Sequence, residues 1–130
     1  MQLINKIWQQ VPGAGQVRIF PFFRKPSVTS SNAYVLRFPK AVVVIDPGAD
    51  PVQTMEIIRL IREQQQEKKV PVFIWLTHAH FDHFLSLKDL SGQSFRIKVA
   101  CHDYGAEVLE KKGLQCFGSC SKGILDAGWW

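Results

Sequence analysis

Three histidines and one aspartate fall within six consecutive positions of the chain. His78, His80, Asp82 and His83 follow directly on the apolar run from Val72 to Leu76. Apolar runs of this length are typical of buried strands, so the four side chains are predicted at the C-terminal end of a strand. Imidazole and carboxylate ligands suit zinc, with iron or manganese as alternatives. A metal held in this way lowers the pKa of bound water to about 7, so the pattern predicts a site that activates water.

The spacing of these residues indicates how they divide between metals. His78 and His80 are two positions apart, which in an extended loop turns both imidazoles to the same side. Asp82 and His83 are adjacent and can serve a second metal beside the first. A pair of metals about 3.5–4 Å apart polarises a carbonyl or phosphoryl oxygen. A lone histidine is usually structural, but this density after a buried strand favours metal ligation.

Other polar residues are predicted near the same site. Asp46 ends an apolar strand and has two interpretations, a turn-forming residue or a side chain that orients the metal ligands. His102 is interpreted as a helix-cap or surface residue, and Cys101 as a small buried hydrophobe. With Cys116 and Cys120 the cysteine count is odd, which favours reduced thiols in a cytosolic protein.

The elements before the histidines are predicted from apolar patterns and turns. Residues 3–8 and 16–23 indicate an N-terminal hairpin, and 26–31 a polar loop. Strands are predicted at 32–38 and 41–45, the second of them buried on both faces.

A helix is predicted next, with Asp50 as N-cap, Pro51 at the first position and Gln53 at the capping-box position. It ends near Lys69, before Pro71. Its core-facing stripe is predicted to consist of six apolar residues: Val52, Met55, Ile57, Ile58, Leu60 and Ile61.

The later elements alternate between strand and helix. They are a strand at 70–76, a short helix at 85–90, a strand at 95–100 and a helix at 103–112, whereas 114–130 has no clear pattern. This order predicts parallel strands joined by right-handed crossovers. Ligands bind at the C-terminal ends of such strands. The edge that carries Asp46, the histidine cluster and Cys101 is therefore the predicted site.

Length and composition predict one α/β domain spanning 1–130. The net charge is +5, but the lysines and arginines are scattered, which favours a solvated surface over a nucleic-acid-binding face. The chain has neither a signal-peptide pattern nor an apolar run of about 18 residues, so no membrane association and a cytoplasmic location are predicted.

The segment from Thr77 to His83 resembles the H-x-H-x-D-H signature of the metallo-β-lactamase superfamily. The preceding segments 31–36 and 43–49 agree in order, and the likeness to the smaller, glyoxalase II-like hydrolases extends from about residue 16 to about 112. The resemblance implies a ligand set and supporting residues. His78 and His80 would ligate the first metal, Asp82 and His83 the second, Asp82 would act catalytically on the attacking water, and Asp46 would support the site without ligating.

The resemblance also implies a fold. The superfamily forms an αββα sandwich of two similar halves, and this chain resembles the first α/β half with the start of the second, an apparently truncated domain. One sheet face would then be uncovered, exposing a large apolar area that a homodimer can cover. A complete two-metal site of the family takes five histidines, two of them from the second half. The chain has four, with none after Leu114, so this chain alone is not expected to complete that site.

The leading functional prediction is a metal-dependent hydrolase with one or two zinc ions. Metal-bound hydroxide would attack the carbonyl of a small acyl substrate, an ester or thioester, and a glutathione thioester fits the resemblance best. Two alternatives stay open. One is a nuclease or phosphodiesterase of the same superfamily, and the other is a truncated, weakly zinc-binding or non-catalytic module.

Overall fold

A mixed β-sheet is the framework of the described chain. The structure, a computed structural model, describes residues 1–25, 31–77 and 86–101 together with the backbone of 124–126. Seven strands follow one another across the sheet in chain order. They are β1 (Gln9–Gln10), β2 (Arg18–Phe22), β3 (Ala33–Phe38), β4 (Ala41–Ile45), β5 (Val72–Trp75), β6 (Ile97–Ala100) and β7 (Ile124–Asp126).

The first four strands are antiparallel neighbours. The predicted N-terminal hairpin forms, but its first strand is Gln9–Gln10 and not 3–8. Ile4 and Ile7, two of the apolar residues that indicated an earlier strand, are exposed. Trp8 instead packs edge-on against Phe20, with 5.3 Å between the ring centroids.

Strands β4, β5 and β6 are parallel, as the alternation of strands and helices predicted. Helix α1 (Pro51–Glu67) connects β4 to β5, and the short helix α2 (Leu87–Ser91) lies between β5 and β6. Ile45, Trp75 and Ala100 are paired in register, so these three strands end at the same edge of the sheet. This confirms the predicted α/β class.

The core lies between one face of the sheet and α1. A buried row crosses the sheet through Val35, Val44, Ile74 and Val99, and Ile57 and Ile61 of α1 belong to the same cluster. Side chains alternate between the two faces of a strand. In β4, Val42 and Val44 are buried, whereas Ala41, Val43 and Ile45 on the other face are only half-buried. The prediction that this strand is buried on both faces was therefore wrong.

Helix α1 begins as predicted at Asp50, whose carboxylate accepts the Val52 N–H at 2.8 Å. Gln53 does not complete a capping box, because its side-chain amide donates to the Pro47 carbonyl at 3.0 Å. The apolar stripe was also partly mispredicted, since Val52 is 68% and Met55 62% exposed. Successive residues of an α-helix are about 100° apart around the axis. Residues at every third position therefore shift steadily around the helix, and some of them leave the buried face. The buried face consists of Gln53, Thr54, Ile57, Ile58, Leu60, Ile61 and Gln64.

Strand β7 was not predicted. It pairs antiparallel with β6, and three residues are too few to show a recognisable alternation in sequence. The predicted helix at 103–112 lies outside the described residues. Among the described residues, no helix has both the length and the apolar character needed to span a membrane.

Candidate metal centre

The turn at residues 46–48 lies at the edge of the sheet where the site was predicted. Two of its residues have positive φ angles, Asp46 at 46° and Gly48 at 88°. Glycine adopts this region at little cost, and aspartate is among the side chains that tolerate it best. The Asp46 N–H donates to the Trp75 carbonyl at 2.9 Å, so the turn remains bonded to β5 beyond the end of β4. These contacts explain why Asp-Pro-Gly follows the apolar strand.

The Asp46 carboxylate reaches across to the residue before His78. One oxygen accepts the Thr77 backbone N–H at 2.9 Å, and the other accepts the Thr77 hydroxyl at 2.6 Å. Asp46 is only 6% exposed, so these charge-assisted bonds form largely out of water, where they are strong. The chain therefore enters the histidine segment from a fixed position.

The same turn also contacts the far end of that segment. The Ser86 N–H donates to the Gly48 carbonyl at 3.0 Å, and the Leu90 N–H donates to the Ser86 carbonyl at 3.0 Å as α2 begins. Thr77 and Ser86 flank residues 78–85 on either side. The turn thus anchors both ends of the segment that carries the predicted ligands.

Helix α1 also contacts the turn at 46–48. The bond from Gln53 to the Pro47 carbonyl is buried, and Pro47 and Gly48 are themselves buried. A displacement of this turn would break contacts to β5, α1 and the start of α2 together. We conclude that the turn is a rigid support, which is the setting that a metal site needs if its ligands are to be held in place.

The ligands themselves stay predictions. His78, His80, Asp82 and His83 lie outside the described residues, as does His102. Within 1–25, 31–77 and 86–101, no cluster of three or more histidine, cysteine or acidic residues could hold a metal ion.

Two further sequence predictions fall on described residues at this edge. Cys101 follows β6 and is half-buried against the core, so it is less buried than predicted. Asp46 is buried at the strand end and fixes Thr77, which agrees with a supporting role.

Sequence reasoning missed the partners of Asp46. The sequence motif includes Thr77 but predicts no contact for it, and it predicts no role at the site for Gly48 or Ser86. One available signal was the position of Thr77, since a hydroxyl directly after a buried strand can reach a carboxylate that ends the neighbouring strand. The pairing of Ser86 with Gly48 involves backbone atoms alone, so no residue type could have revealed it.

The chemistry of the donor set fits zinc. Three imidazoles and one carboxylate fall in six positions, and zinc binds both kinds of ligand. The described residues on either side, Thr77 and Ser86, are both hydrogen bonded to the turn at 46–48. Zinc at this position would be held by His78, His80, Asp82 and His83.

Several solved structures share this fold. The chain matches TMB-1 with a TM-score of 0.57 and 19% identity, covering 85% of this chain and 49% of that one. It matches FIM-1 from Pseudomonas aeruginosa, solved in a mono-zinc form, with a TM-score of 0.54 and 17% identity, covering 89% and 53%. A metallo-β-lactamase from Hirschia baltica gives 0.55 and 15%, covering 85% and 49%. The likeness confirms the predicted fold class, and the chain spans about half the length of these proteins.

The family assignment comes from the sequence. No curated protein matches the chain. The sequence profile of the metallo-β-lactamase superfamily matches residues 26–127, a range that includes the anchoring turn, the histidine segment and both helices described above. The chain therefore belongs to the metallo-β-lactamase superfamily.

Proposed function

We propose that this chain holds zinc through its histidine segment and acts in the hydrolysis of a small ester or thioester. The observation that carries the proposal is the double anchoring of residues 78–85. Asp46 binds Thr77 before the segment, and Gly48 binds Ser86 after it. A loop held at both ends loses less conformational freedom when it binds a metal, so its affinity for the metal is higher.

The residues divide into ligands and supporting groups. His78 and His80 would hold one ion, and Asp82 and His83 a second. Asp82 would also orient the attacking water and accept its proton, which makes it the catalytic residue of the proposal. Asp46 is a positioning residue because it acts through Thr77. Zinc, when bound, supplies a Lewis acid that polarises the carbonyl and lowers the pKa of water.

The substrate class follows from chemistry and charge. Hydrolysis of a thioester or ester needs an activated water and a polarised carbonyl, which is what this donor set can supply. The formal charge of the chain is +5, which favours the approach of anionic molecules. A glutathione thioester is a small acyl donor with negative charge, and it is the substrate that we propose to test first.

Zinc content tests the first part of the proposal. The purified chain is dialysed against limiting zinc, and the bound metal is measured by mass spectrometry for the wild type, His78→Ala and Asp82→Ala. We expect each variant to lose most of the metal, because removal of a residue that merely supports a ligand typically costs 10–100-fold in affinity and removal of a ligand should cost at least as much. His102→Ala is the matched control, since it removes the histidine outside the motif and should leave the zinc content unchanged. Equal zinc in all four proteins would refute the site.

Turnover of a glutathione thioester tests the second part. The chain contributes only part of the family's two-metal site, so we expect zinc-loaded protein to hydrolyse the thioester slowly, yet faster than buffer, and Asp82→Ala to abolish the difference. Zinc binding without turnover would contradict the hydrolytic part of the proposal for this chain. The chain would then be a zinc-binding module, as the alternative prediction has it.

A further inference from the structure

The side-chain hydroxyl of Ser86 is buried without a hydrogen-bond partner. Ser86 is 2% exposed, and no described residue bonds to its Oγ atom. The other unsatisfied buried side-chain atoms of the described residues belong to an arginine and two glutamines, which have further polar atoms. The hydroxyl is the only polar group of the Ser86 side chain. Buried polar groups are nearly always hydrogen bonded, and exceptions are often found where a bound ion or a functional contact satisfies them.

Capping of α2 does not explain this hydroxyl. Serine is favoured directly before a helix because its side-chain oxygen accepts a backbone N–H of the first turn. Ser86 stands at that position, yet its side chain makes no such bond. Its backbone angles are helical, φ −72° and ψ −6°, whereas a capping residue is typically extended. Alanine at this position would therefore lose no bond at the start of α2.

The backbone around Ser86 fixes the position of the hydroxyl. The Ser86 N–H donates to the Gly48 carbonyl and the Ser86 carbonyl accepts the Leu90 N–H, both at 3.0 Å. Leu87 and Leu90 of α2 belong to the buried core. Exposure of the hydroxyl to water would require breaking these contacts. The fold therefore keeps a polar group in a place where burial is unfavourable unless the group is bonded.

The hydroxyl belongs to the candidate metal centre. Ser86 directly follows residues 78–85, and it is bonded to the same turn as Thr77. Asp82 and His83 precede it by four and three positions. A carboxylate that binds a metal through one oxygen keeps a second oxygen as an acceptor, and a ligating imidazole keeps a second ring N–H as a donor. A hydroxyl can donate to the first and accept from the second.

We propose that Ser86 is a positioning residue for zinc, and that its hydroxyl bonds to the non-ligating atom of a metal ligand in the zinc-loaded protein. The inference rests on the proposed zinc site and adds a residue that orients a ligand from the C-terminal side of the histidine segment. Groups that orient metal ligands in this way contribute about 10–100-fold to metal affinity. The hydroxyl would thus favour the zinc-loaded protein, while its burial disfavours the metal-free fold.

Two measurements on Ser86→Ala test the proposal. Zinc affinity, measured by competition with a chelating indicator, should fall about tenfold or more relative to the wild type. Urea unfolding in the presence of a metal chelator should change in the opposite direction, with a midpoint at higher urea, because the variant lacks an unsatisfied buried hydroxyl. A serine that merely stabilises the fold would not move the two measurements in opposite directions.

Ser91→Ala is the matched control, since it makes the same chemical change at the other end of α2. Ser91 is also buried, but its hydroxyl donates to the Lys88 carbonyl at 2.9 Å. This variant should unfold at lower urea and bind zinc as the wild type does.

Three results would overturn the role of Ser86 and leave the zinc site standing. They are equal zinc affinity of Ser86→Ala and the wild type, an equal loss of affinity in both serine variants, and a lower urea midpoint of Ser86→Ala in chelator. The last result would show that the hydroxyl is satisfied without zinc. A wild type that binds no zinc would instead overturn the zinc site itself, and this inference with it.

Discussion

Asp46 has a buried carboxylate, a positive φ angle and a direct bond to the residue before His78. A buried charge is costly unless it is hydrogen bonded, and the N–H and hydroxyl of Thr77 both satisfy it. Few residue types tolerate this backbone conformation, and fewer of those carry two acceptor oxygens. Aspartate at this position therefore forms the turn and fixes Thr77, which shows that a turn-forming role and the proposed supporting role are compatible.

Two substitutions of Asp46 separate the contribution of its carboxylate charge from that of its tolerance of the positive φ angle. Asp46→Ala should destabilise the protein by about 2–4 kcal/mol, because it loses charge-assisted bonds and places alanine in the left-handed region. Asp46→Asn should cost about 1 kcal/mol, since asparagine tolerates the φ angle and keeps an acceptor for the Thr77 N–H. Urea unfolding measures both, and zinc content should fall in the same order.

Thr77→Val is the control for the hydroxyl bond. It keeps the backbone N–H that Asp46 accepts and removes only the side-chain donor, so a loss of about 1 kcal/mol is expected. Equal destabilisation by Asp46→Asn and Asp46→Ala would contradict this account of Asp46, because the shape of the side chain and its tolerance of the positive φ angle would then contribute nothing.

At the scale of elements, the turn at 46–48 links β4, β5, α1 and α2. The contact to α2 depends on the backbone conformation of Gly48, which has a φ angle of 88° and accepts the Ser86 N–H. Gly48→Ala should cost about 1–2 kcal/mol in unfolding free energy and should also lower the zinc content. The second effect is expected because a displaced Gly48 carbonyl no longer fixes Ser86. The measurements are urea unfolding and metal analysis of the dialysed protein.

Gly13→Ala provides the matched control. Gly13 has a φ angle of 75°, and a Cβ there meets nothing within 4 Å, so its substitution carries the conformational penalty alone. It should destabilise the protein to a similar extent and leave zinc binding intact. If Gly13→Ala lowers the zinc content as much as Gly48→Ala, metal loss merely reports lower stability and the anchoring role is wrong.

The elements could be predicted from sequence wherever a local pattern decides the structure. The parallel strands and the N-cap of α1 follow from apolar runs and from Asp50-Pro51. The apolar stripe did not follow, because Val52 and Met55 are apolar but lie on the exposed side, and polar Gln53 and Thr54 are buried in their place. Gln53 is buried with its side-chain amide bonded to the Pro47 carbonyl, and a bond from the first turn of a helix back to the preceding turn leaves no periodic pattern in the sequence.

For the site, residue types and spacing predict the histidine segment as the ligand set and Asp46 as a supporting residue, since both depend on side-chain chemistry that the sequence states directly. The ligands themselves stay predictions. The contacts on either side of that segment were harder to predict, because they join residues about 30 or more positions apart: the Asp46 carboxylate accepts from Thr77, for which the position of Thr77 was the one signal, and the bond from Ser86 to Gly48 involves backbone groups alone. The packing of strands and helices brings these groups together, and the sequence of residues 78–85 contains no pattern that indicates the contact.

At the scale of the whole molecule, the two faces of the sheet differ. The inner face is buried against α1. On the outer face, a row through Leu36, Val43 and Phe73 is only half-buried, and Trp75 is 58% exposed. The sequence could not distinguish a sheet with one covered face from a sheet with two, since an apolar strand has the same pattern whether its second face is covered or not. An apolar face of this kind on the chain as described favours association.

We expect this face to pair with a second copy of the chain, as a symmetric dimer would allow. Sedimentation velocity over a range of concentrations should show reversible self-association of the wild type. Trp75→Lys should shift the equilibrium towards monomer, because it replaces an exposed aromatic side chain of the apolar face by a charge. Met55→Lys is the matched control, since Met55 is 62% exposed on α1 and lies off that face, so association should persist. A wild type that is monomeric at every concentration would contradict the prediction, as would equal dispersal by the two variants.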